Sequence, residues 1–300
     1  MVKKDKRIRD TAGDRALYIA VGAIFLLFVL LVLYPIVFVI SASFSSGSAL
    51  NAGRVVLWPV EPGLQGYKAV FSHRMVLLGY RNTIFYTVAG TAINVAITLL
   101  AAYPLSRPDF RARQPLMTLC TITMFFGGGL VPNYLLMVQL KIINTAWSLL
   151  LPGALSVYNM ILVRTFMMSS IPRELLEASQ IDGCSDARYF WSVVLPLSKA
   201  IVAVITLYYA VGHWNAYFNA MLYLSDRDMY PLQLVLREIL ISSRMDLSEI
   251  TDPELLATMV GLENLLKYSL IVVSSLPIIA LYPFVQKYFI KGVMIGSLKG

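Results

Sequence analysis

The residues best suited to binding a small ligand form a polar cluster inside an apolar stretch in the last third of the chain. The cluster consists of His213, Trp214, Asn215, Tyr217 and Asn219. Polar groups at membrane depth are costly unless they face protein or water, and an aromatic ring beside amide and imidazole groups can bind a sugar. The same residues would also suit helix packing or the aromatic belt of a membrane interface. We predict a substrate pathway here, to which we add Asn133 and Tyr134.

The sequence contains no arrangement suited to catalysis or metal binding. Its two histidines, His73 and His213, form no His-x-x-x-His or Glu-x-x-His pair, which argues against metal-dependent hydrolysis. No Gly-x-x-x-x-Gly-Lys-Ser/Thr sequence is present, so ATP would have to be hydrolysed by another subunit. Cys120 and Cys184 are not placed to pair as a disulfide. We therefore expect a protein without enzymatic activity, metal or cofactor.

The composition predicts an integral membrane protein. Hydrophobic residues make up 58% of the chain, charged residues 14%, and the mean hydropathy is +0.69, whereas soluble domains have about 45–50% apolar and about 25% charged residues. Stretches of about 20 apolar residues, enough to span about 30 Å of hydrocarbon, occur at 16–40, 82–105, 116–139, 147–168, 197–224 and 265–285. The prediction is an all-α polytopic membrane protein with six transmembrane helices, the fifth of which carries the polar cluster.

Three segments of this arrangement have more than one interpretation. Gly127-Gly128-Gly129 and Pro132 predict a bent or split third helix, which fits either a pathway or close helix packing. The first apolar stretch follows a basic run like that of a signal peptide, but its length of about 25 residues exceeds the usual ~7–15, so a retained helix is favoured. Segment 41–81 is rich in serine and glycine at its start and then carries prolines and aromatic residues. It is predicted to lie outside, as an interfacial anchor or a docking surface.

The distribution of lysine and arginine sets the predicted orientation. With the N-terminus inside, 16 of the 25 basic residues fall in cytoplasmic segments, which then carry essentially all of the net charge of +8. Segments 1–15 and 286–300 are predicted to be cytoplasmic, and 82–285 to form a five-helix core with a cytoplasmic loop at 170–196. Because the basic residues lie beside apolar stretches, they indicate membrane lipid rather than nucleic acid as a partner.

The loop at 170–196 predicts a compact helix-turn-helix. Pro172 suits the first turn of a helix, and Gly183 lies where that helix should end in a left-handed residue. Ser185 can cap a second helix, which Pro196 would bend into the fifth span. Such an element offers a surface to a soluble partner.

This loop resembles the EAA loop of permease subunits in ATP-binding-cassette (ABC) importers. The family pattern is Glu-Ala-Ala, about three further residues, a glycine, about nine residues, and then an aliphatic residue followed by Leu-Pro. The matching residues are Glu177, Ala178, Ser179, Asp182, Gly183, Leu195 and Pro196. Ser179 replaces the second alanine, and Cys184 stands where alanine is usual. Shorter similarities at 82–83, 131–134, 143–145, 213–218 and 292–300 extend the resemblance over 58–300, most closely to the carbohydrate-importer branch with MalG-like and LplC/YtcP-like permeases.

The resemblance implies a MetI-like permease fold that forms half of a translocation pathway for a sugar or oligosaccharide in the bacterial cytoplasmic membrane. It implies as partners a second permease subunit, an ABC ATPase dimer that binds ATP and Mg²⁺, an extracytoplasmic solute-binding protein and the saccharide. The EAA-type residues would dock into the ATPase subunit, and segment 225–264 would seat the binding protein. In the maltose importer the partner permease forms most of the sugar site, so contact between this chain and its cargo stays open.

Two alternatives are an ABC permease for a non-sugar solute and a secondary transporter. A secondary transporter would be expected to show inverted repeats and ionisable residues near the middle of the membrane. The sequence shows no such repeat, and only His213 and Arg164 come near the second criterion. The importer therefore remains the favoured interpretation.

Overall fold

The computed structural model describes residues 11–242 and 253–297. Every regular element in these ranges is a helix, which confirms the all-α prediction. The helices are α1 (Ala12–Ser43), α2 (Gly47–Asn51), α3 (Gln65–Ser72), α4 (Arg74–Ser106), α5 (Arg113–Phe125), α6 (Leu130–Gln139), α7 (Trp147–Leu150), α8 (Val157–Ser170), α9 (Arg173–Ile181), α10 (Asp186–Tyr189), α11 (Leu195–Leu197), α12 (Lys199–Trp214), α13 (Phe218–Tyr223), α14 (Leu232–Ser242) and α15 (Pro253–Ser297). A π-helical segment, Phe190–Val194, joins α10 to α11, and a 3₁₀ turn, Arg227–Met229, precedes α14.

The chain folds as two compact units. The first contains α1 to α3 and the part of α15 up to Val272. Its α1 begins with a capping box, in which the Thr11 hydroxyl accepts from the Asp14 amide and the Asp14 carboxylate accepts from the Thr11 amide. The apolar length of α1 is exposed, as expected of a helix whose surroundings are lipid or another chain.

The second unit contains α4 to α14 and α15 from Val273 onwards. Its centre is α4, which packs against α8, α12 and α14. Leu99, Ala102 and Leu105 recur at every third position of α4 and are buried, so they form an apolar stripe along one face. This stripe joins a core with side chains from α8, α12 and the π-helical segment.

Three helices among the described residues are long and apolar enough to span a membrane individually: α1, α4 and Met259–Leu281 of α15. Two bent pairs qualify when each is counted as one span. These are α5 with α6, at 114°, and Asp186–Leu197 with α12, at 80°. The described residues thus give between three and five spans by length and composition, and the count of six stays a prediction.

The predicted third and fourth spans are both interrupted. The break at Gly127–Gly129 is confirmed, because α5 ends at Phe125 and α6 begins at Leu130. No atom of the described residues lies within 4 Å of a Cβ placed on Gly127, so close packing among them does not explain that glycine. The stretch 147–168 is divided into α7 and α8 around Pro152, which has no amide to continue a helix. With 14 residues, α8 is about 21 Å long, shorter than the hydrocarbon core.

The predicted fifth span and the C-terminal tail also differ from the structure. Within 197–224, α12 ends at Trp214, and α13 starts only at Phe218. The Asn215 amide and its side-chain Nδ2 both donate to the Val211 carbonyl, which terminates α12. The segment 286–300, predicted as a tail, is helical to Ser297 because α15 continues through it. Residues 1–10, in the predicted N-terminal segment, lie outside the described ranges.

Candidate functional site

A cavity of about 230 Å³ lies between α4, α12, α13 and the connection from α7 to α8, entirely within the second unit. Its walls combine aromatic rings, amides and one imidazole. The lining residues are Tyr86, Asn94, Leu149, Pro152, Gly153, Tyr208, Tyr209, Gly212, His213, Ala216, Asn219, Ala220 and Pro231. The volume falls below the ~300–1,000 Å³ of pockets that enclose drug-sized ligands. The cavity therefore has room for about one sugar ring of a chain at a time.

Asn94, on α4, determines the hydrogen-bonding character of His213. Its Nδ2 donates to the carbonyl oxygens of Gly153 and Ala154, at 3.1 and 2.8 Å. These bonds orient the amide so that Oδ1 accepts, and the His213 Nε2 at 2.6 Å must donate. A neutral imidazole with its proton on Nε2 has an acceptor at Nδ1. No hydrogen bond from a described residue reaches this Nδ1, so it is available to accept from a ligand hydroxyl.

The walls around His213 are held in place by close packing and further hydrogen bonds. A Cβ placed on Gly90 would lie 2.4 Å from the His213 Nε2 and 2.5 Å from Cε1, so the imidazole can approach α4 only because this residue is glycine. The hydroxyl of Tyr209 hydrogen-bonds the Thr98 hydroxyl at 2.7 Å and accepts from the Ser156 amide at 3.1 Å. The polar wall of the cavity is thus preorganised.

Side chains of α4 also position the backbone that borders the cavity at Pro231. The Asn82 Nδ2 donates to two carbonyl oxygens of segment 228–232, at 2.7 and 3.1 Å, and the Tyr86 hydroxyl donates to a third at 3.0 Å. The Leu232 amide donates to the Thr83 hydroxyl at 2.8 Å. One helix therefore provides both wall residues and supports for the opposite wall.

Of the predicted pathway residues, His213 and Asn219 line the cavity. Trp214 is buried, and its indole N–H donates to the Ser274 carbonyl oxygen at 2.9 Å. Its ring also packs edge-on against Tyr80, with 5.9 Å between centroids. Trp214 therefore contributes to packing, although a further role in the pathway remains a prediction.

The other predicted pathway residues lie outside the cavity lining. Asn215 and Tyr217 are exposed in the connection between α12 and α13. Asn133 is exposed on α6, where the Tyr134 ring stacks on Tyr223 with centroids 6.2 Å apart. Nothing in the structure tests whether these four residues contact cargo, and their assignment stays a prediction.

The predicted helix-turn-helix is present, and its residues 173–189 are called the knob below. Pro172 is the N-cap residue of α9, one position before the predicted first turn. Gly183 follows α9 with φ +66°, the left-handed conformation expected at a helix end. The Ser185 hydroxyl accepts from the Arg188 amide at 3.3 Å and caps α10. The left-handed glycine and the serine cap are confirmed.

The knob exposes most of the residues that match the EAA pattern. Glu177, Ala178, Asp182 and Gly183 are exposed, whereas Ser179 is half-buried and its hydroxyl donates to the Leu176 carbonyl at 2.7 Å. Ile181 is 87% exposed, which leaves an apolar side chain next to two carboxylates. Such a combination suits a protein contact better than contact with water alone.

Leu195 and Pro196 follow the knob in α11. Leu195 is half-buried and Pro196 exposed. The helix axis turns by 80° between Asp186–Leu197 and α12, which confirms the predicted bend. These two residues therefore lie where the knob joins a candidate membrane helix.

Sequence reasoning does not identify Asn94, Tyr86 or Arg107, although all three contribute to these sites. For Asn94 the available signal is an amide within a long apolar stretch, since such a group requires a partner in the membrane. Tyr86 carries no comparable signal, because tyrosine is ordinary in such helices. In the sequence, Arg107 contributes only to the lysine and arginine distribution that sets the predicted orientation. Its hydrogen bond to Asp186 of the knob depends on the fold.

A family model described as "Binding-protein-dependent transport system inner membrane component" matches residues 94–295. The chain belongs to this family. Members are transport components, so this inner-membrane component is a permease-type subunit rather than an enzyme, which confirms the resemblance seen in the loop.

Two relatives and one solved structure extend this result. The chain is 41% identical to Protein LplC of Bacillus subtilis over 266 residues, which cover 89% of each chain. It is 39% identical to the polygalacturonan/rhamnogalacturonan transport system permease protein YtcP of the same organism, covering 92% of this chain and 95% of that one. The structure of a bacterial ABC transporter involved in the import of the acidic polysaccharide alginate matches with a TM-score of 0.85 and 33% identity, covering 94% of this chain and 99% of that one.

Proposed function

We propose that this protein is one of two permease subunits of an ABC importer and forms half of the translocation pathway for an oligosaccharide. It would cross the membrane six times, with both termini in the cytoplasm. The observation that carries this proposal is the presence of two sites in one compact unit, namely a polar, aromatic cavity and an exposed EAA-type knob. A pathway and a transmission element are the two parts that such a subunit requires.

In this proposal the knob docks into an ABC ATPase subunit, which binds the ATP and Mg²⁺. Glu177 and Asp182 provide negative charge at the contact and Ile181 an apolar anchor. Closure of the two ATPase subunits would displace the knob and, through the packed core of the second unit, the helices around the cavity. A second permease subunit would complete the pathway, and an extracytoplasmic solute-binding protein would deliver the cargo.

The proposed cargo is an acidic oligosaccharide. YtcP is named for polygalacturonan and rhamnogalacturonan, and the matching solved transporter for alginate. No aspartate or glutamate occurs among the residues that line the cavity, so a uronate would meet no like charge there. The aromatic rings and the Nδ1 of His213 would bind the ring face and a hydroxyl of the sugar.

Co-expression with the ATPase subunit provides the test of the importer function. Uptake should depend on ATP and on that subunit, and Glu177→Lys should abolish both uptake and co-purification of the ATPase. Glu238→Lys is the control outside the knob. Glu238 lies on α14 and pairs with Arg227 at 3.0 Å, so its variant breaks a local ion pair but should retain the ATPase. Unchanged uptake and co-purification in Glu177→Lys would contradict the coupling role.

The cargo is tested with the cognate solute-binding protein, because selectivity of these importers is expected to reside largely there. Digalacturonate and dimannuronate should raise its melting temperature, whereas maltose should not. A shift with maltose alone would refute the acidic cargo but would leave the importer function intact.

A further inference from the structure

Arg107, the first residue after α4, makes a set of hydrogen bonds that its sequence position does not predict. Its side chain is only 9% exposed although it is charged. The Nε and Nη2 atoms donate to the two carboxylate oxygens of Asp109, at 2.8 and 2.6 Å. Nη1 donates to Asp186 at 2.9 Å and to the Tyr103 hydroxyl at 2.9 Å. All three nitrogens of the guanidinium are therefore engaged.

The two carboxylates have different structural roles. Asp109 is two residues from Arg107 and holds the guanidinium plane through a bidentate pair. The hydrogen bonds from Arg107 also keep the pKa of Asp109 below its ordinary value, so this carboxylate stays ionised. Asp186 is the first residue of α10, within the knob. Among the ion pairs between described residues, Arg107–Asp186 is the one that joins the knob to another element.

Two further contacts connect the same end of α4 with the chain before and after the knob. The Arg164 Nε, on α8, donates to the Leu105 carbonyl oxygen at 2.9 Å, and α8 leads into α9. On the other side, the Tyr103 ring packs against Phe190 with centroids 5.0 Å apart. The last turn of α4 therefore contacts both chain segments that flank the knob.

We propose that Arg107 is a positioning residue that links the knob to α4, so that the two move as one rigid body when the ATPase subunits close. This inference rests on the proposed importer function. Its consequence is specific, because α4 carries Tyr86 and Asn94 of the cavity wall. Displacement of the knob would then move the cavity wall directly, in addition to any motion passed through α12.

The test measures the distance between the knob and α4 by pulsed electron paramagnetic resonance in the complete transporter. Spin labels are placed at Arg188→Cys on α10 and Val88→Cys on α4, both exposed positions, in a background with Cys120→Ser and Cys184→Ser. The starting protein should give one narrow distance that does not change between the nucleotide-free and the ATP–vanadate states. Asp186→Ala removes the carboxylate that accepts from Arg107. It should broaden the distribution and make the mean distance respond to ATP and vanadate.

Two further variants separate positioning from general damage. Asp186→Glu retains the charge and should restore the narrow distribution. Asp109→Asn weakens the closer pairing of Arg107 but leaves the Asp186 carboxylate in place, so it should broaden the distribution less than Asp186→Ala. The proposal is overturned if Asp186→Ala broadens the distribution no more than Asp109→Asn, or if the starting protein already changes its distance with ATP and vanadate. Failure of the ATPase to bind would contradict the importer function instead, while the nucleotide-free comparison would still decide the role of Arg107.

Discussion

Replacement of Asn94 by alanine tests whether the cavity wall depends on the hydrogen bonds assigned to this amide. The substitution removes two donors from the carbonyl oxygens of Gly153 and Ala154 and the acceptor of the His213 Nε2 proton. A buried polar group left without a partner costs about 1–3 kcal/mol. Water in the adjoining cavity can reach some of these groups, so we expect about 2–4 kcal/mol of destabilisation rather than the full sum.

The measurement is the apparent melting temperature of the purified complex, which should fall by roughly 5–15 °C at about 2–4 °C per kcal/mol. Asn159→Ala is the matched control. Asn159 is also buried in a helix, at 5% exposure, but its side-chain amide makes no hydrogen bond among the described residues. Asn159→Ala removes the same atoms without breaking such bonds, so its melting temperature should fall by less than half as much. Equal melting temperatures for the two variants would refute the role of Asn94 as an organising residue.

Three further substitutions test local features. Gly183→Ala places a Cβ at φ +66° and should cost about 1 kcal/mol of stability, seen as a lower melting temperature. Gly183→Asn should recover about half of that loss. An unchanged melting temperature for the alanine variant would contradict the left-handed turn. Gly90→Ala should displace the His213 ring and reduce uptake about tenfold, equivalent to about 1.4 kcal/mol. The ATPase should stay in the complex. Normal uptake would show that His213 is not part of the pathway. Ser185→Ala should cost about 1 kcal/mol of helix stability and speed amide exchange in α10, whereas unchanged exchange would exclude the cap.

The knob could be predicted from sequence in detail because its signals are local. A left-handed glycine and a serine cap depend on neighbouring backbone groups, so their positions follow from spacing alone. Gly183 and Ser185 were identified in this way. The pair between Arg107 and Asp186 could not be predicted, because Asp186 is distant in sequence and helix packing brings the two residues together. Because the charge of Arg107 also fits the predicted membrane orientation, the sequence gives no separate signal for its contact with the knob.

The spans were predictable as apolar stretches but not as continuous helices. Hydropathy does not distinguish a straight helix from one that breaks at Pro152, because both are equally apolar. The breaks at Gly127–Gly129 and after Pro196 are predicted from glycine and proline instead. The residues of the cavity could be predicted from the sequence only in part, for a related reason. His213 and Asn219 belong to a conspicuous polar cluster, whereas Asn94 is isolated in sequence and joins them only when α4 packs against α12. Trp214 has the residue type of a sugar-binding ring, yet its buried indole is held by the Ser274 carbonyl.

The sequence of α4 itself provides a physical reason why its last turn needs side-chain anchors. Pro104 lies in that turn and has no amide to donate back along the helix, so the final residues are less firmly held by the helix's own hydrogen bonds. The side chains of Arg107 and Arg164 supply hydrogen bonds to this turn in addition to those of the helix backbone. Asn94 lies about 20 Å further along the same helix at 1.5 Å per residue. A helix anchored to the knob at one end and to the cavity wall in its middle can carry a displacement between them, and the anchors matter most where proline has weakened the helix.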